Sequence, residues 1–209
     1  GREAMATDRQ NRVDIVATFT EMAPTVSDSG QFVWRHADGR EFIPTPHALE
    51  QSAVKCGVST YAVKDLARPV YGRGKYAETL QFERDRGDAE TLAHYFANAI
   101  RRCDSDKPQF WRTNGSTLRA HLSDRYLAID NDWLLDTLAT ALPGARLSHW
   151  LGDSDTIWGN ILLPDTIRQE TDSEYGGMLS LSNSEIGTRR FGTLPSIFRA
   201  ICMNGCIWG

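Results

Sequence analysis

The residues of this 209-residue chain best suited to chemistry lie near its C-terminus. Asn183-Ser184-Glu185-Ile186-Gly187 follows directly on the apolar run Gly177-Met178-Leu179-Ser180-Leu181-Ser182. That order places polar side chains and amides at the rim of a sheet, where they can meet a ligand. They can equally build a turn in which Asn and Ser side chains bond the backbone. Arg199 stands among Ile197, Phe198, Ile201 and Cys202 and needs acceptors if it is enclosed. Glu185 is its expected partner, in a structural bridge. Asn204-Gly205 then supplies a left-handed helix stop. An enzymatic reading, as a nuclease or nucleotide-modifying activity, draws on Glu185, Asn183 and His121.

Other candidate chemistry is weaker. Cys202 and Cys206 are separated by three residues, Cys56 and Cys103 stand alone, and the five histidines are scattered. Zinc sites pair two cysteine knuckles, or one with a histidine pair, so neither a metal nor a cofactor is expected. Tyr71-Gly72-Arg73-Gly74-Lys75-Tyr76 is like a phosphate cradle only superficially, since no strand leads into it. No Gly-x-Ser-x-Gly elbow is present. His121 lies in an alternating run beside Arg119, the pattern of a satisfied sheet histidine. Asp130 and Asp132 flank a helix start, where carboxylates are stabilised anyway.

Charge sets the next bound. A formal net charge of −4 argues against a protein coated in positive charge but permits a local basic strip. Residues 151–174 carry six acidic side chains against Arg168 alone, whereas residues 186–209 carry Arg189, Arg190 and Arg199 and no acid. Self-pairing or oligomer contact accounts for this asymmetry, and so does a phosphate-binding surface.

The elements that position these residues follow from pattern. Residues 12–22, with Val13, Val16, Ala17 and Phe19 apolar, read as a short helix or leading arm that Pro24 ends. Asp38-Gly39 between two apolar runs signals a β-hairpin. Thr45-Pro46 starts a helix that Gly57 closes, and Ser59 caps another. Asp88 caps a longer helix with Leu92, Ala93, Phe96, Ala99 and Ile100 on one face, and Arg101-Arg102 suits its last turn. Residues 110–112 and 117–122 alternate as strands do. Asn131 caps a helix carrying Trp133, Leu134, Leu135, Leu138 and Leu142. Residues 145–151 and 156–163 form a second hairpin, 177–182 and 189–194 further strands, and Pro195 opens a last helix with Ile197, Phe198 and Ile201. The fold expected is α+β: a mostly helical N-terminal part with a β-hairpin over 5–106, then an antiparallel sheet with a helix packed on one face over 107–209. The two halves are expected to form one compact unit.

Three blocks carry a resemblance. Arg119-Ala120-His121-Leu122-Ser123-Asp124-Arg125-Tyr126, Ser182-Asn183-Ser184-Glu185-Ile186-Gly187 and Phe198-Arg199-Ala200-Ile201-Cys202-Met203-Asn204-Gly205 are similar to a phage/plasmid-like family of unknown function found on prophages and mobile elements. Thr45-Pro46-His47-Ala48-Leu49 after the hairpin resembles that family's N-terminal part. The resemblance implies mobile-element biology and carries over no catalytic residue. In outline the chain is also similar to phage single-strand annealing proteins, which form rings or filaments with a basic groove for single-stranded DNA. Such binding needs cations along the phosphates and aromatic faces for the bases. Arg112, Arg119, Arg125, Arg189 and Arg190, interleaved with Phe110, Trp111, Tyr126 and Phe191, offer both. The same residues are also accounted for as core aromatics and solvated or paired arginines.

Composition, at 41% hydrophobic and 24% charged, excludes wholesale disorder. No apolar run is long enough to span a membrane, and residues 8–14 are polar where the core of a signal peptide would lie. Residues 1–4 read as a cloning scar ahead of Met5, and the apolar ending Ile207-Trp208-Gly209 as a truncation. A cytoplasmic, oligomeric protein binding single-stranded DNA in recombination or replication is the leading expectation. A defence- or host-interaction protein using the acidic stretch, or a nuclease-like enzyme, are its rivals.

Overall fold

The computed structural model describes residues 11–71, 77–81, 85–153, 155–170, 173–200 and 206–208. It divides into two compact units, one ending at Tyr126 and the other beginning at Leu127. The boundary expected between residues 106 and 107 falls inside the first unit.

The first unit is built on a six-stranded sheet, which overturns the expectation of a mostly helical N-terminal part. Its strands are β1 (Arg12–Ala17), β2 (Met22–Val26), β3 (Phe32–His36), β4 (Glu41–Pro44), β7 (Gln109–Asn114) and β8 (Thr117–Ser123), in the order β1-β7-β8-β4-β3-β2. Neighbours run antiparallel except β4 and β8. β5 (Arg68–Tyr71) and β6 (Ala77–Gln81) form a separate ribbon. The segment expected to be helical became β1 because its alternation is real: Ile15 and Ala17 are buried while Val13 and Val16 are exposed. Pairing with β7, from Arg12 with Asn114 to Ala17 with Gln109, settles the choice. Pro24 lies inside β2 rather than ending a helix, and β2 is an edge strand, where a residue lacking an N–H is tolerated.

Local signals were decisive where they were strongest. Gly39 takes φ +94° in the turn joining β3 and β4, where Trp34 pairs with Phe42. The Thr45 side chain accepts the Ala48 N–H at the start of α1 (Pro46–Cys56), and Gly57 ends that helix at φ +69°. Ser59 caps α2 (Thr60–Leu66) in the same way. α3 (Asp85–Ile100) starts three residues ahead of Asp88, and Arg101 and Arg102 lie beyond its end. Leu92 and Phe96 of α3, Leu49 and Ala53 of α1 and Val63 of α2 fill a core with Phe19, Phe32, Trp34 and Trp111.

The second unit carries a five-stranded antiparallel sheet, β13-β12-β11-β10-β9, comprising β9 (Arg146–Gly152), β10 (Thr156–Glu170), β11 (Ser173–Ser184), β12 (Gly192–Ala200) and β13 (Cys206–Trp208). α4 (Asn131–Ala141) packs Leu134, Leu135 and Leu138 against Ile157, Ile161 and Leu181. The helix expected from Pro195 is instead strand: Pro195 pairs with Leu179 and Ile197 with Gly177 along β12. Pro195 is compatible with either state, and the long β11 partner strand decides. The expected stop at Asn204-Gly205 lies outside the described residues, as does the loop 72–76. No helix among the described residues is long and apolar enough to cross a membrane.

Candidate nucleic-acid interface

In the first unit, three of the expected DNA-binding side chains are part of the interior. Arg112 is 2% exposed and donates from Nε to Asp14 Oδ1 at 3.0 Å and from Nη2 to Oδ2 at 3.3 Å. Arg119 is buried on β8. Trp111 is fully buried, donates its indole N–H to the Ala17 carbonyl at 3.0 Å and stacks on His121 with ring centroids 3.7 Å apart. β7 and β8 are covered on both faces, so position on a strand did not separate wet from dry residues. Arg125 is exposed, and Tyr126 is half-buried against Phe110, 6.2 Å between rings.

His121 is a fully buried core residue. The Ser52 hydroxyl lies 2.8 Å from the Ala48 carbonyl and shares a 2.9 Å hydrogen bond with His121 Nδ1. The ring lies among Phe19, Trp34 and Trp111. Burial holds its pKa well below the ordinary histidine value, and the Lys55 charge pushes the same way.

In the second unit the Asn183-Ser184-Glu185-Ile186-Gly187 block is a scaffold. The Ser184 hydroxyl accepts the N–H groups of Ile186 (3.3 Å) and Thr188 (3.1 Å), and Gly187 takes φ +75°, so the turn expected from these residue types forms. Asn183 Nδ2 donates to the Ile129 carbonyl at 2.7 Å and to Asn131 Oδ1 at 2.9 Å. Glu185, fully buried, accepts the Asn131 backbone N–H at 2.8 Å. It therefore serves the N-terminus of α4, where Asp130 sits at the cap position but makes no side-chain cap bond. The expected Glu185–Arg199 bridge does not form. Arg199 pairs with Tyr175 in register, its guanidinium 5.3 Å from that ring, ten residues along β11 from Glu185, or roughly 33 Å of extended chain.

The scaffold delivers Arg189, Arg190 and Phe191 to the surface. Both arginines are exposed, and neither guanidinium has an ion-pair or hydrogen-bond partner among the described residues. Phe191 is 46% exposed. The Arg190 carbonyl accepts from the Ser182 hydroxyl at 3.5 Å, tying the segment back to β11. Next to it an open pocket of about 490 Å³ is lined by Leu151, Gly152, Asp153, Thr156, Ile157, Trp158 and Arg189. Ile157 and Ile161 face α4, so period two puts Trp158 on the opposite face, between Leu151 of β9 and Ser182 of β11. The signal for this aromatic in the sequence is the alternation of residues 156–163, in which Trp158 falls out of phase with Ile157 and Ile161. Asp153 closes the hairpin: its Oδ1 accepts from the Asp155 N–H (2.8 Å), the Thr156 N–H (2.7 Å) and the Thr156 hydroxyl (3.1 Å).

No protein-family model, curated protein or solved structure matches this chain. Among the described residues no group of three or more His, Cys, Asp or Glu side chains is placed to hold a metal ion.

Proposed function

We propose that this protein binds single-stranded DNA through the Arg189-Arg190-Phe191 segment of its second unit, as an oligomer acting in recombination or replication. One observation carries the reading: two adjacent, exposed arginines without acidic partners among the described residues, followed by an exposed aromatic residue, beside a turn held by buried and part-buried hydrogen bonds to the Ser184 hydroxyl. Arg112, Arg35 and Arg40 are engaged by Asp14, Glu41 and Asp38; Arg101 and Arg102 are also adjacent and exposed, but the residue after them, Cys103, is not aromatic. Cations free to meet phosphates, beside a ring on which a base can stack, are what single-strand binding uses. With a net charge of −4 the attraction must be local, and it falls as salt rises. Among the described residues β9 is an edge strand of its sheet, the kind of edge through which a second copy can pair, which supports the oligomeric part.

Fluorescence anisotropy with labelled single-stranded and duplex DNA at two salt concentrations, alongside light scattering for mass, tests this. A salt-sensitive preference for single strands by an oligomer supports it, and no binding at low salt overturns it. The nuclease reading loses ground because Glu185 and Asn183 are buried and engaged with α4, and His121 is enclosed in an aromatic core.

A further inference from the structure

The geometry points to the pocket between β9, β10 and Arg189 as a single-nucleotide subsite, in which Trp158 stacks the base, Arg189 meets the phosphate and Asp153 favours a base with an exocyclic amino group. This rests on the single-stranded DNA reading. The volume, about 490 Å³, lies within the roughly 300–1,000 Å³ range of small-ligand sites.

Its lining separates by chemistry. Leu151 and Trp158 are cross-strand partners, so an apolar side chain and an indole sit together on the wall. Every base has a face that can stack on such a ring. Among the described residues Arg189 is the one cation of the lining. Asp153 looks misplaced in a site for a polyanion, but its place follows from the hydrogen bonds. Oδ1 is spent on the hairpin, while Oδ2 has no partner among the described residues. A carboxylate oxygen only accepts, so it suits an amino group such as N4 of cytosine and opposes the carbonyl O4 that thymine presents instead. Phosphate belongs at the Arg189 side and the base edge at the Asp153 side.

The test uses the full chain and three labelled 20-mers: oligo(dC), oligo(dT) and an abasic polymer. The parent is expected to bind oligo(dC) about fivefold or more tighter than oligo(dT), and the abasic polymer weakest. Trp158→Leu should weaken oligo(dC) binding by roughly 5- to 100-fold with its salt slope kept, and leave abasic binding unchanged. Asp153→Asn keeps the Oδ1 acceptor of the hairpin and should erase the preference for oligo(dC). If the parent binds all three polymers equally while Arg189 and Arg190 remain essential, the subsite is wrong and the surface stands. If none of the three binds at low salt, the surface itself is wrong, and the subsite with it.

Discussion

The Glu185 carboxylate accepts the backbone N–H of Asn131 at 2.8 Å, so the turn after β11 closes the N-terminus of α4 from 54 residues away in sequence. Both groups are buried, and α4 supplies most of the apolar cover for its sheet. Glu185→Ala leaves that N–H without its acceptor and should lower stability by about 1–3 kcal/mol. Glu185→Gln, which keeps an acceptor, should cost less. Urea midpoints of the two variants against the parent check this, and equal midpoints would remove the capping role.

His121 gives a pH dependence whose sign is fixed by its burial. Its folded pKa lies below the unfolded value of about 6.5. The unfolded chain therefore takes up the proton first, and stability is full above about pH 6.5 and falls as the pH drops toward the folded pKa. The slope reaches at most about 1.4 kcal/mol per pH unit for this one group. Unfolding free energies between pH 7.5 and 5 should show His121→Phe losing less stability on acidification than the parent. Parallel curves would show that His121 titrates normally.

Arg112 and Arg189 should behave as opposites. Arg112→Ala removes a guanidinium buried against Asp14, whose side chain is itself about one-third exposed, and should cost about 1–3 kcal/mol with no change in the salt slope of DNA binding. Arg189→Ala should leave thermal stability within about 0.5 kcal/mol and flatten that slope. Thermal melts and salt titrations of both variants separate the two roles, and a flattened slope for Arg112→Ala would put that residue back on the surface.

Gly159 lies under the Trp150 ring. A Cβ there would stand 2.8 Å from Trp150 Cε3 and 3.0 Å from the His149 carbonyl. Gly159→Ala should destabilise the protein by about 1–3 kcal/mol through overpacking. A denaturation midpoint unchanged from the parent would mean that the β9–β10 pair yields more readily than its packing implies.

What could be read from the sequence was local. Thr45, Pro46 and Gly57 around α1, Asp38-Gly39 in the first hairpin and Ser184 with Gly187 in the rim turn act within five residues or along their own helix, and each does what its type requires. What could not be read depends on distant partners. Val13, Val16 and Ala17 fit a helical face as well as a strand until β7, about a hundred residues on, pairs with them. Arg112 and Arg119 alternate with apolar residues, which suggests a wet face, yet both faces of their strands are covered. Trp158 needed the position of α4 to show that it lies on the other side of the sheet.

The most direct test of DNA binding through this surface is a salt titration of single-stranded DNA affinity for the parent and for the Arg189→Ala/Arg190→Ala double variant. The variant should bind more weakly, with a log–log salt slope shallower by roughly 1.4, since two phosphates go unneutralised at about 0.7 each. A double variant that is folded and binds with the parent's affinity and slope would contradict the assignment.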